Sequence, residues 1–308
     1  GGLVAAALFL AALVCLPIGW IAAFAFSDRG GAPTLGNFAQ LLDDPTLTEP
    51  LLTTLALSFS VATIAGLAAA PLAWLVARTD MPGRRIARVL MTASFVTPPF
   101  LGAIAWEILA APNSGILNHV WRAVTGAETD EYLFNIYSLP GLIFVIACYT
   151  FPYVFVLVTN ALERIPAELE DASSMLGARA WNTVRRITIP LVLPAVLAGG
   201  LIAFLQAMTL FGSPAILALP AGFHTMTTRI WSLFQFPPKP GLAAAAALPL
   251  LIIPILLLRA QGWILGRRGY AVVGGKYGQP RRVRLGNWRW VALAICLSVL
   301  CLPVFLPY

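Results

Sequence analysis

Six stretches of this chain, near residues 3–26, 51–77, 86–111, 139–162, 187–213 and 241–265, are almost purely apolar. A seventh starts near Trp290. Each has the length of about 20 residues that a helix needs to cross roughly 30 Å of hydrocarbon. Ala, Leu, Val, Gly and Pro fill the runs without strict alternation. Each run is also well past the ten or so residues of a barrel strand. The expected fold is therefore all-α, a polytopic transmembrane helical bundle. With 59% hydrophobic and only 11% charged residues over 308 positions, polar side chains are too few to solvate a water-borne globule, so lipid is part of the solvent. Ala23-Phe24-Ala25 in the first run has the form of a signal-peptidase site. Its apolar stretch is long for a signal sequence and no basic segment precedes it, so we read a membrane span.

The net charge of +7 raises the question of nucleic acid, and the placement of the basic residues answers it. If the chain enters from the cytoplasm, the inner segments carry Arg78, Arg84, Arg85 and Arg88, then Arg164, Arg179, Arg185 and Arg186, then the basic residues between Arg259 and Arg289. The outer segments keep Arg29, Arg122, Arg229 and Lys239, beside the acids Asp28, Asp43, Asp44, Glu49, Glu128, Asp130 and Glu131. This bias predicts a multi-pass protein with a cytoplasmic N-terminus and the bilayer, not nucleic acid, as its partner. The four cysteines, Cys15, Cys148, Cys296 and Cys301, lie in apolar runs, where a thiol acts as a small hydrophobe. His119 and His224 stand singly, so neither a metal site nor a cofactor is expected.

Residues 1–265 read as one six-span unit and 266–289 as a basic cytoplasmic linker rich in Gly and Arg. Residues 290–308 read as the first span of a second, truncated unit, because Cys301-Leu302-Pro303-Val304 echoes Cys15-Leu16-Pro17-Ile18.

Between the fourth and fifth runs, residues 163–186 read ERIPAELEDASSMLGARAWNTVRR and lead directly into ITIPLVLP. Ile165-Pro166 followed by Glu168, Glu170 and Asp171 is how a helix begins. Gly177 interrupts it, and a second helical stretch is expected from Ala178 to Arg186, so the segment reads as two short helices with a glycine elbow. Small residues at the elbow, Ala172, Ser173, Ser174, Gly177 and Ala178, would let a partner's backbone come close. An amphipathic connection lying on the membrane would use Met175, Leu176, Trp181 and Val184 equally well.

This segment resembles the cytoplasmic signature of the inner-membrane components of binding-protein-dependent ABC importers: an acid, two small residues, a glycine, then Ile-x-Leu-Pro. Here Asp171-Ala172-Ser173, Gly177 and Ile187-Thr188-Ile189-Pro190 hold those places, with Glu170 before them. Asp for Glu, Ser for Ala and Ile for Leu are mild departures. The resemblance implies a type I importer permease with no enzymatic activity of its own, in a bacterial inner membrane. It implies a dimer of separate cytoplasmic ATPase subunits meeting Glu170, Asp171, Ala172, Ser173, Gly177, Ala178 and Arg179. It further implies a periplasmic solute-binding protein and a second permease half, fused or paired. Consistent with a separate ATPase, Gly274-Gly275-Lys276-Tyr277 lacks the leading glycine and the hydroxyl of a nucleotide-binding P-loop.

Residues 211–250 resemble the matching part of ferric-iron permeases, which implies ferric iron as the solute, with thiamine, polyamine, sulfate or phosphonate carried on the same scaffold. Glu107, Gln206 and Thr209 are the polar residues in the spans that could line a pathway. Glu107 could equally be an interfacial carboxylate, and the other two could bond neighbouring helices. A secondary transporter would need buried ion-coupling groups, of which Glu107 is the one candidate. An intramembrane enzyme would need paired acids, clustered histidines or a Ser/Lys arrangement within the spans, and the runs contain none.

Overall fold

A computed structural model describes residues 2–28, 30–128, 130–266 and 282–307. Arg29, Gly274-Gly275-Lys276-Tyr277 and most of the basic linker expected at 266–289 lie outside the described residues. Among the described residues, six helices are long and apolar enough to cross a membrane: α1 (Gly2–Ala25), α2 (Pro45–Arg78), α5 (Leu139–Glu163), α7 (Trp181–Thr209), α8 (Pro240–Ile264) and α9 (Trp288–Phe305). Two shorter helices, α3 (Arg84–Val96) and α4 (Pro99–Ala110), form a bent pair that passes the same test together. Apart from isolated bridges such as Thr79 with Val283, no β structure occurs among the described residues.

The third apolar run, expected to be one span over 86–111 with Pro98-Pro99 as a place where it can bend, turns by 96° between α3 and α4. Pro98-Pro99 is the cause. A residue before proline is pushed out of the helical region, and Thr97 and Pro98 accordingly adopt ψ of 117° and 133°. Within membrane helices single prolines are tolerated, and Pro17, Pro152 and Pro194 sit inside α1, α5 and α7.

The chain divides into two compact units, Gly1–Leu55 with Gly222–Leu256 and Ala56–Ala221 with Leu257–Tyr308. In the first, Leu41, Leu47, Met226, Leu233 and Leu242 form a buried cluster. Asn37 ties its helix to the end of α1 by donating to the carbonyls of Ala25 at 3.0 Å and Ser27 at 2.9 Å. None of the most apolar part of α1 is buried, which suits a helix whose solvent is lipid.

The second unit is organised around α5, whose most apolar window is two-thirds (67%) buried. Its neighbours approach on glycines. A Cβ added at Gly199 of α7 would stand 2.8 Å from the Cα of Val154 on α5, a contact of backbone with backbone. Membrane helices gain little from apolar association, and such small-residue contacts supply the close packing that holds them. Gly199→Ala is therefore expected to destabilise the protein by about 1–3 kcal/mol, the usual cost of overpacking. A thermal scan in detergent checks this, and an unchanged midpoint would contradict the close α5/α7 contact. The α9 segment also belongs to this unit: the Trp106 indole on α4 donates to the Pro303 carbonyl at 3.0 Å.

Candidate functional site

The elbow between α5 and α7 forms as the local sequence demands. Pro166 is extended (φ −62°, ψ 137°) and is followed by α6 (Ala167–Met175), with Glu168 and Glu170 in its first turn, where carboxylates favour the positive end of the helix. The helix closes in a Schellman motif. The Ala178 N–H donates to the Ser173 carbonyl at 3.1 Å, the Gly177 N–H to the Ser174 carbonyl at 3.0 Å, and Gly177 takes φ of +76°. Glycine alone adopts that conformation without a Cβ penalty.

The second arm differs from expectation. It begins at Ala180 and does not end at Arg186; it continues through a wide turn, Val184–Thr188, straight into the membrane helix Ile189–Thr209. Pro190 explains the wide turn. A proline inside a helix lacks an N–H and crowds the carbonyl four residues back, and here the Ile189 N–H reaches the Val184 carbonyl, five residues back. The elbow is thus one short helix folded against the N-terminal extension of a span, and the Ser173 and Thr183 hydroxyls pin the two arms together at 2.8 Å.

The tip of the elbow is bare and apolar. Met175 and Leu176 are each 88% exposed and Trp181 is 67% exposed, while Asp171, Ala172 and Arg179 are exposed beside them. Ser173 and Ala178 are half-buried at the joint of the two arms, and Gly177 is exposed. Ile187 and Pro190 are half-buried and Ile189 is 48% exposed. Glu170 faces the other way. Its carboxylate pairs with Arg78 at the end of α2 and accepts from the Thr188 hydroxyl at 3.2 Å, leaving 13% of the side chain exposed. A second, more exposed pair joins α3 to the end of α5: Arg88 donates to Glu163 at 2.5 Å and to the Asn160 side chain at 3.0 Å.

Residues 62–270 match the family described as binding-protein-dependent transport system inner membrane component. The chain belongs to that family. As a permease component it is a part of a transporter rather than an enzyme. It is 25% identical over 228 residues to the molybdenum transport system permease protein ModB of Escherichia coli K12, covering 71% of this chain and 95% of that protein. To the sulfate transport system permease protein CysW of the same strain it is 26% identical over 259 residues, covering 81% of this chain and 82% of that one. The permease also shares its fold with a bacterial ABC transporter involved in alginate import, at a TM-score of 0.72 and 14% identity over 87% of this chain and 94% of that chain.

The three polar residues read as pathway candidates are each engaged in this permease. Glu107 is half-buried and accepts from the Tyr137 hydroxyl at 2.6 Å. Burial, with Glu107 alongside, pushes that phenol up to about 12. Gln206 donates to the Tyr153 hydroxyl at 2.6 Å, joining α7 to α5, and Thr209 is exposed and donates to the Leu205 carbonyl of its own helix at 2.9 Å. Among the described residues, no hydrogen bond links the three to one another. Arg78 and Thr188, the partners of Glu170, were not legible as site residues. Arg78 merely ends an apolar run, where a basic side chain ordinarily reaches for headgroups.

Proposed function

We propose that this permease lets a solute, delivered by a periplasmic binding protein, cross the inner membrane at the expense of ATP hydrolysed by a cytoplasmic ATPase dimer seated on the elbow. The observation that carries the reading is the elbow tip: two large apolar side chains almost wholly bare, on a turn locked by a Schellman glycine and rimmed by Asp171 and Arg179. Apolar anchors ringed by polar groups are what a protein partner covers. The positive-inside bias supports a cytoplasmic elbow and N-terminus.

In the second unit, an apolar groove of about 600 Å³ runs along α2, α7 and residues 257–264, with Gly66 and Gly200 in its lining and Thr63 and Gln261 as its polar groups. Small residues of this kind admit close helix approach, so we assign the groove to the second permease half. Reading Trp288–Phe305 as the opening span of that half rests on its span length and the Cys-Leu-Pro repeat.

For the solute we favour a small inorganic oxyanion, because the relatives are named for molybdenum and sulfate transport. Ferric iron is the second reading, carried by the resemblance of residues 211–250. Two measurements test the assignment. Purified through this chain, the wild type is expected to retain an ATPase subunit, and Gly177→Arg to lose it. A strain deleted for the permease is expected to lose uptake of labelled molybdate or sulfate and to keep uptake of ferric citrate. A wild type that brings down no ATPase refutes the importer reading. Loss of ferric uptake alone reverses the choice of solute.

A further inference from the structure

None of the nine residues of α6 is fully buried. What anchors it on the side facing the spans is a polar joint. Arg78 is 2% exposed at its side chain and donates both to Glu170 and, at 3.3 Å, to the Leu162 carbonyl at the end of α5. The same Glu170 oxygen accepts from Thr188, a buried residue in the first turns of α7. The Arg78 carbonyl in turn receives the Val283 N–H at 2.8 Å, and the Asp80 carboxylate receives the Leu285 N–H at 2.8 Å, so the segment leading into α9 is tied on as well. The buried guanidinium thus joins the end of α2 to α5 and, through Glu170, to α6, and Thr188 brings in α7 at the same carboxylate.

A buried ion pair is poor value as a stabiliser, because desolvation offsets most of its attraction; what it does supply is a fixed geometry. Arg88 with Glu163 shows the contrast, with 39% and 36% of the side chains exposed and correspondingly little expected from it.

Resting on the importer reading above, we propose that Glu170 is a positioning residue and not part of the ATPase contact. Through Arg78 and Thr188 it makes the elbow, the ends of α2 and α5 and the start of α7 move as one body when a partner displaces the elbow. A bistable transmission of this kind needs a stiff link between the pushed element and the spans. Without the carboxylate, α6 loses its link to Arg78 and Thr188, while the Ser173–Thr183 bond between the two arms remains.

Hydrogen exchange of the complex with its ATPase in lipid nanodiscs, without nucleotide and with ATP plus vanadate, separates the possibilities. In the wild type, nucleotide is expected to change exchange both in α6 and at residues 72–78 and 184–190. In Glu170→Gln the ATPase stays bound and the α6 response remains, while the response at 72–78 and 184–190 falls by about threefold or more. Arg78→Lys, which keeps the charge and loses the forked contact, should show the same separation, guarding against a folding defect in either variant. The proposal is overturned if both variants respond as the wild type does, or if Glu170→Gln releases the ATPase, which would make Glu170 a partner contact. A wild type carrying no ATPase would fail the importer reading itself, and the proposal with it.

Discussion

Replacing Glu170 by leucine is expected to lower the stability of the permease by about 3–5 kcal/mol, the cost of leaving a buried charge without its partner. Arg78 is 2% exposed, and its remaining side-chain bond, to the Leu162 carbonyl, supplies no counter-charge. A guanidinium has no escape by deprotonation. The opposite deletion, Arg78→Met, is expected to cost less, about 1–3 kcal/mol, since the Glu170 side chain is more exposed, at 13%, and Thr188 still bonds it. Combining Glu170→Leu with Arg78→Met should recover most of the loss, because a well-packed apolar pair is close to neutral against a buried ion pair. Thermal unfolding in detergent reads all three, with a fall of roughly 8 °C for Glu170→Leu. If the two single variants lose equally and the double variant loses their sum, the residues do not act as a pair.

Placing aspartates at Met175 and Leu176 is expected to abolish retention of the ATPase while leaving the permease folded. Each side chain is 88% exposed, so charge there disturbs no internal packing, and neither position needs a positive φ. At an interface the same side chains would be central apolar anchors, each costing about 2 kcal/mol or more on loss, roughly thirtyfold in affinity. Two such losses, with carboxylates now to be desolvated, exceed what a typical elbow contact can absorb. The check is co-purification at matched expression with an unchanged unfolding midpoint. Undiminished retention would mean that the tip faces lipid or water rather than a partner.

Sequence reading and structure agree where the cause is local. Apolar length marked the span helices, Pro166 with its following acids marked the start of α6, and Gly177 marked its end, because each depends on dihedral preference or hydrophobicity over a few residues. They part where prolines act inside an apolar run. The third run reads by hydropathy as one span, yet it turns through 96° at Pro98-Pro99, and hydropathy carries no direction. The second elbow arm was expected to stop at Arg186, but a wide turn accommodates Pro190 and carries the helix on into the span.

Glu170 is the sharpest case. Next to Asp171 it read as one more acid on a docking face, and the 92 residues separating it from Arg78 leave no trace in either segment of their meeting. Amino-acid order alone determined that this chain is a membrane bundle with a glycine elbow between two spans. Only the tertiary structure decided which face of the elbow looks outward and which is bolted to the bundle, since a helix shows different residues to its neighbours according to how it is rotated, and that rotation is settled by contacts from elsewhere in the chain.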